Sequence, residues 1–124
     1  TDVMHAGDDV PRVSTTATLS EALVEMSRKR LGMTSVVDGE GRLLGLFTDG
    51  DLRRTLDDAA LDVRTAMIAD VMTRNPRTIA ADQLAVEAAR LMEDHKISGL
   101  IVVDDAGRAV GALNIHDLLR ARVV

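Results

Sequence analysis

The sequence predicts an α+β fold: two copies of one β-α-β-β-α unit packed with pseudo-two-fold symmetry. Three observations predict it. The segment Gly41-Arg42-Leu43-Leu44-Gly45-Leu46-Phe47-Thr48-Asp49-Gly50-Asp51-Leu52 returns as Gly107-Arg108-Ala109-Val110-Gly111-Ala112-Leu113-Asn114-Ile115-His116-Asp117-Leu118, at a constant offset of 66 residues (41 to 107, 51 to 117). In both halves a helical apolar stripe precedes two short apolar runs. Each half has roughly 55–65 residues, which is marginal for an independent core. Stacked copies bury a face that neither buries alone, so the halves are expected to fold together. Residues 1–66 form the first repeat with its connector, and residues 67–124 the second.

Asp2-Val3-Met4 opens the first repeat and Asp70-Val71-Met72 the second. That offset is 68, so the first repeat carries two extra residues before its first helix. Arg12-Val13-Ser14-Thr15 and Arg77-Thr78-Ile79 read as short strands. Thr18 and Glu21 have capping-box spacing, and Leu19, Ala22, Leu23 and Met26 follow on one helical face. Gly32 is the expected helix stop. Asp82 can cap the second helix, with Leu84, Ala88 and Leu91 as its stripe. Both stripes read as core.

Met33 to Val37 and Leu100 to Val103 read as strands covered on both faces. Asp38-Gly39-Glu40-Gly41 and Asp104-Asp105-Ala106-Gly107 are turns into the next strands, Leu43 to Phe47 and Ala109 to Leu113. A short helix closes each unit, near Asp49–Leu56 and Ile115–Arg122. Asp57 to Met67 is the connector.

Composition narrows the function. Apolar residues make up 46% of the chain but Phe47 is the single aromatic, so aliphatic residues and six Met must fill the interior. The formal net charge is −5, with no basic stripe interleaved with aromatics, which disfavours nucleic acid. Only Lys29 and Lys96 of the 15 basic residues are lysines. Arginine suits phosphate and carboxylate contacts, and equally surface ion pairs. Cysteine is absent, which excludes disulfides, thiolate metal sites and cysteine catalysis. No apolar run reaches 18 residues and no leader is visible, so a soluble cytoplasmic protein without membrane contact is expected.

The most informative local motif is Gly45-Leu46-Phe47-Thr48-Asp49-Gly50-Asp51. Thr48 stands where a strand ends and a helix begins, with Asp51 at the third helical position. This is a capping box. The same geometry offers backbone N–H groups to an anion. Thr48 can donate to a phosphate oxygen, and the Asp51 carboxylate can accept from two ribose hydroxyls. The arrangement recurs as Asn114-x-x-Asp117.

A strand, then Gly-h-h-[Ser/Thr]-x-x-Asp (h apolar) and a closing helix, present twice, resembles the CBS-domain pair, or Bateman module, over essentially the whole chain. The resemblance implies a disc-like pair that binds adenosyl or related nucleotides between its repeats. It places Thr48 and Asp51 at the phosphate and ribose positions of one cleft and Asp117 at the ribose position of the other. Asn114 departs from the Ser/Thr of the pattern, and its amide can still cap and donate.

Four separated segments are also similar to the C-terminal half of bacterial D-arabinose 5-phosphate isomerases. They are Asp2 to Pro11, Phe47 to Arg54, Ile68 to Met72 and His116 to Ala121. Those enzymes join a sugar-isomerase domain to a CBS pair and supply the sugar phosphate from which Kdo is made for lipopolysaccharide or capsule. The resemblance implies a regulatory half, without catalytic residues of its own. Its ligand would be CMP-Kdo, AMP or ATP, and its partners the isomerase domain and a second copy in a homodimer. The alternatives are an assembly module without ligand sensing, or a CBS pair of another enzyme or transporter.

The remaining constellations point to less. His5, His95 and His116 are not spaced as helical metal ligands, so no metal or cofactor is expected. His116 stands beside Asp117 at a helix start, within reach of a ligand phosphate or simply in solvent. Asp8-Asp9, Asp57-Asp58 and Asp104-Asp105 are neighbours in turns rather than carboxylates converging in a pocket, so catalysis is not expected.

Overall fold

The computed structural model describes residues 4–80, 82–83, 85–95, 97 and 99–114. In chain order the elements are β1 (His5–Ala6), a 3₁₀ turn (Gly7–Asp9), β2 (Arg12–Ser14), α1 (Leu19–Lys29), β3 (Met33–Val37) and β4 (Leu43–Thr48). Then come α2 (Asp49–Asp57), α3 (Ile68–Val71), β5 (Thr73–Arg74), β6 (Thr78–Ala80), α4 (Ala85–His95), β7 (Gly99–Val103) and β8 (Ala109–Asn114). The predicted closing helix of the second repeat, Ile115–Arg122, lies outside the described residues.

The strands form two four-stranded sheets, ordered β2-β3-β4-β5 and β1-β8-β7-β6. Each sheet takes three strands from one repeat and its edge strand from the other. β5 pairs antiparallel with β4, with Gly45 opposite Arg74 and Leu46 opposite Thr73. β1 pairs antiparallel with β8, with Ala6 opposite Gly111 and His5 opposite Ala112. The two registers coincide under the repeat. Within each sheet the parallel and antiparallel pairings also coincide, and an irregularity falls between Val36 and Val37 and again between Val102 and Val103. Two-residue edge strands carry too little periodicity to be read from sequence, and neither β1, β5 nor α3 was predicted.

The exchange carries side chains with it. Met72 lies over Gly45 and Met4 over Gly111, in the space a Cβ would need. Met72, together with Ile68, thereby packs against the first repeat's core of Ala17, Leu19, Ala22, Met26, Val36 and Phe47. Met4 packs against the second repeat's core of Ile79, Ala88, Ala89, Met92, Leu100, Val102 and Leu113. A third cluster, including Val10, Met33, Leu46, Ile101 and Ala112, belongs to both. The interior is therefore continuous across the halves, as marginal half-size units require.

The pseudo-dyad runs between residues related by the repeat. Arg42 bridges Arg108, and Leu43 N–H donates to Gly107 O (2.9 Å) while Ala109 N–H donates to Gly41 O (3.0 Å). The flanking turns are built alike. Asp38 Oδ1 accepts from the N–H groups of Glu40 and Arg42 (both 2.9 Å), and Asp104 Oδ1 from those of Ala106 and Arg108 (3.0 and 2.9 Å). Gly41 and Gly107 close the turns at φ 84° and 81°, where a side chain would be strained.

The predicted capping box of α1 is present: Glu21 N–H donates to Thr18 Oγ1 (3.1 Å) and Thr18 N–H to Glu21 Oε1 (3.0 Å). The connector is tied down beside it, with Leu19 N–H donating to Ala66 O and Ile68 N–H to Ala17 O. The predicted stop at Gly32 is displaced. α1 ends at Lys29, and Arg30 takes the left-handed cap (φ 62°), its N–H returning to Met26 O. Gly32 instead turns the chain so that its carbonyl accepts from Asp49 N–H (3.0 Å), tying this loop to the start of α2. The two extra residues of the first repeat fall in Gly7–Pro11, which holds the 3₁₀ turn where the second repeat has Asn75-Pro76-Arg77.

Candidate functional site

β4 delivers Thr48 to the first turn of α2. The side chain of Thr48 accepts from Asp51 N–H (3.2 Å), and Asp51 Oδ2 accepts from Thr48 N–H (3.0 Å) and Thr48 Oγ1 (3.1 Å). Asp51 is buried at 6% exposure, yet both oxygens are engaged. Oδ1 accepts from Thr73 Oγ1 (3.1 Å) on the exchanged strand β5, and from Arg54 Nη2 one helical turn on. Further along α2, Thr55 Oγ1 donates to Asp51 O (2.8 Å).

These residues line a cleft of about 690 Å³ between the repeats. That volume lies within the range of small-molecule sites. Arg30, Thr48, Asp51 and Arg54 come from the first repeat, and Thr73, Asn75, Arg77, Ile97, Gly99 and Asn114 from the second. Three arginines thus line the cleft beside a helix N-terminus, where partial positive charge already favours an anion. Arg54 is paired with Asp51, and no ion pair of Arg30 or Arg77 is present among the described residues.

Of the sequence-predicted site residues, Thr48 and Asp51 meet in this cleft. Asn114, expected at a second cleft, lines the same one. The register explains it. Thr48 lies opposite Met33 and Asn114 opposite Gly99, and Met33 itself packs over Gly99. The ends of β4 and β8 therefore converge at the dyad. His116 and Asp117 lie outside the described residues. Sequence reasoning missed Arg30, Thr73, Asn75 and Arg77. Thr73 and Asn75 reach the cleft only through the strand exchange, and Arg77 resembles any other surface arginine in the sequence. Among the described residues, no group of three His, Cys, Asp or Glu is placed to hold a metal ion.

The chain belongs to the CBS domain family, which matches residues 1–58 and again residues 68–124. It is a tandem pair, and the exchanged sheets and inter-repeat cleft are its architecture.

Among curated proteins it is similar to arabinose 5-phosphate isomerase KdsD of Pseudomonas aeruginosa, at 55% identity over 123 residues. That stretch is 99% of this chain and 37% of the enzyme. The chain therefore spans little more than a third of the relatives it matches, and what it matches there is their CBS part.

Among solved structures, the CBS domain pair of protein MJ0100, in complex with 5′-methylthioadenosine and S-adenosyl-L-methionine, superposes with a TM-score of 0.85 at 26% identity. The match covers 98% of this chain and 96% of that one. CBSX2 in complex with AMP gives 0.83 at 26% identity, over 98% and 93%.

Proposed function

We propose that this CBS pair is the regulatory portion of an arabinose 5-phosphate isomerase, and that it senses a nucleotide or nucleotide-sugar in the cleft at Thr48 and Asp51. The observation that carries the reading is a helix N-terminus with a buried carboxylate in a cleft of nucleotide size that Arg30, Arg54 and Arg77 also line. The helix N-terminus alone contributes only about 0.3–1 kcal/mol toward an anion. Micromolar affinity needs about −8 kcal/mol. The arginines and burial of a base against Ile97 and Leu46 must supply the remainder. The AMP named for the related pair CBSX2, with its phosphate, fits this cleft chemistry.

The 55% identity to the isomerase supports a role in the pathway to Kdo, with CMP-Kdo as a feedback ligand and AMP or ATP as alternatives. A signal reaches an attached isomerase domain only if the ligand binds two arrangements of the pair with different affinity. The strand exchange supports such coupling, because Thr73 of one repeat bonds Asp51 of the other. Leu56 on the closing helix α2 is 61% exposed, which supports pairing of two chains through that face, and a monomer in light scattering rejects that part. The cytoplasm is the expected compartment for an enzyme consuming sugar phosphates and nucleotides.

Calorimetry with CMP-Kdo, AMP and ATP tests the sensing role. The expected result is micromolar binding of at least one, weakened tenfold or more by Asp51→Asn, with thermal unfolding of the variant measured alongside to show that it is folded at the temperature of the titration. Absence of binding below about 1 mM, roughly −4 kcal/mol, overturns it.

A further inference from the structure

The Asp51 carboxylate is saturated. Two carboxylate oxygens offer about four lone-pair sites, and four donors occupy them: Thr48 N–H, Thr48 Oγ1, Thr73 Oγ1 and Arg54 Nη2. A ligand hydroxyl can reach this carboxylate only by displacing one donor. Thr48 N–H and Oγ1 form the cap of α2, and Thr73 is fixed by its strand pairing with Leu46. Arg54 is different. Its side chain is 73% exposed and folds back beside Gly50. Its long, exposed side chain can swing away without disturbing the α2 cap or the strand pairing of Thr73.

Leaving has a cost. A guanidinium that gives up a carboxylate exchanges a charge-assisted hydrogen bond for water, and another anion in its place offsets that loss. A phosphate bound in the first turn of α2, beside Gly50, would stand next to the Arg54 guanidinium and supply that anion. A nucleoside supplies hydroxyls and no anion.

We propose that Arg54 is a specificity-determining residue of this cleft. It covers Asp51 and yields it more readily to a ligand that brings a phosphate, so the site favours nucleotides over nucleosides. The inference rests on the nucleotide-sensing reading above and adds a rule about which ligands pass. It predicts opposite signs for one substitution. Removing Arg54 takes away the phosphate partner and also uncovers the carboxylate that a ribose would use.

The test is calorimetry on the chain with AMP, adenosine, CMP and cytidine, for wild type, Arg54→Ala and Arg54→Gln. In wild type the bound nucleotide should exceed its nucleoside by about tenfold or more. Arg54→Ala should weaken the nucleotide about tenfold and tighten the nucleoside several-fold. Arg54→Gln can still donate to Asp51 without charge, so it should weaken the nucleotide with a smaller nucleoside gain. Thermal unfolding confirms that both variants fold. Nucleotide binding with an unchanged nucleotide-to-nucleoside ratio in Arg54→Ala overturns the role of Arg54 and leaves the sensing reading standing. Failure of AMP and CMP to bind wild type overturns the role of Arg54, and failure of CMP-Kdo and ATP as well overturns the sensing reading with it.

Discussion

The two repeats share a backbone register and differ where they touch. Phe47 answers Leu113, Met26 answers Met92 and Ala22 answers Ala88 in the separate cores. At the dyad the pairs diverge. Met33, only 2% exposed, faces Gly99, its own counterpart, and a Cβ on Gly99 would come within 2.6 Å of the Met33 sulfur. A symmetric pair of large residues would collide there, so a duplicated chain must break its symmetry at the axis.

The same holds nearby. Ser35 donates to Pro11 O (2.6 Å), while its counterpart Ile101 is simply buried. The Arg12 guanidinium crosses to the second repeat and donates to Ala109 O through Nε (3.2 Å) and Nη2 (2.9 Å), whereas Thr78 replaces it in the other half. The lesson is that a ligand cleft lying on such an axis inherits the asymmetry. The cleft described here combines Gly99, Thr48 and Asn114, so its two sides are unlike.

The comparison is most severely tested in the separate cores. Phe47→Ala should cost about 3–5 kcal/mol and Leu113→Ala about 2–5 kcal/mol, read as shifts in the urea midpoint. Because each core is closed by a methionine from the other repeat, either change should move one cooperative transition. Two resolved transitions would show that the repeats fold separately.

A smaller effect belongs to the axis. Gly99→Met restores sequence symmetry and should destabilise by about 1–3 kcal/mol through overpacking. Adding Met33→Gly exchanges the two residues and should recover part of the loss. Strict additivity of the two changes would mean that they do not share this space.

The smallest effect sharpens the likeness of the halves. Asp38 is held below its ordinary value near 3.8, first by the Arg42 backbone N–H and against the opposing effect of desolvation. Asp104 is lowered in the same way, first by the Arg108 backbone N–H. A carboxylate depressed in the fold stabilises it above the unfolded value and loses that contribution as pH falls through the folded one. The loss therefore lies below about pH 3.8. Asp38→Asn and Asp104→Asn should flatten the acid limb of a stability–pH curve equally, and an unequal response would show that the turns are not equivalent.

Much of this was legible in the chain because repetition doubles every weak signal. The Thr18–Glu21 and Thr48–Asp51 capping boxes rest on local spacing, and both are present as expected. The apolar runs at 33–37 and 100–103 are buried strands because their length and composition leave no alternative once a helix precedes each. The stop of α1 was misplaced by three residues, since nothing local marks Arg30 for a left-handed cap. β1 and β5 escaped because two residues hold no period and their partners are distant in sequence.

By itself the sequence determined the repeated unit, its helix starts, its strands and the Thr48–Asp51 pair, because these depend on neighbours within a few residues. Tertiary structure alone decided that the edge strands are exchanged, that Thr73 and Arg77 join Asp51 in one cleft, and that Asn114 faces the same cleft as Thr48. Those outcomes depend on where the axis between the copies falls, and that is set by packing large side chains against small ones across the whole molecule.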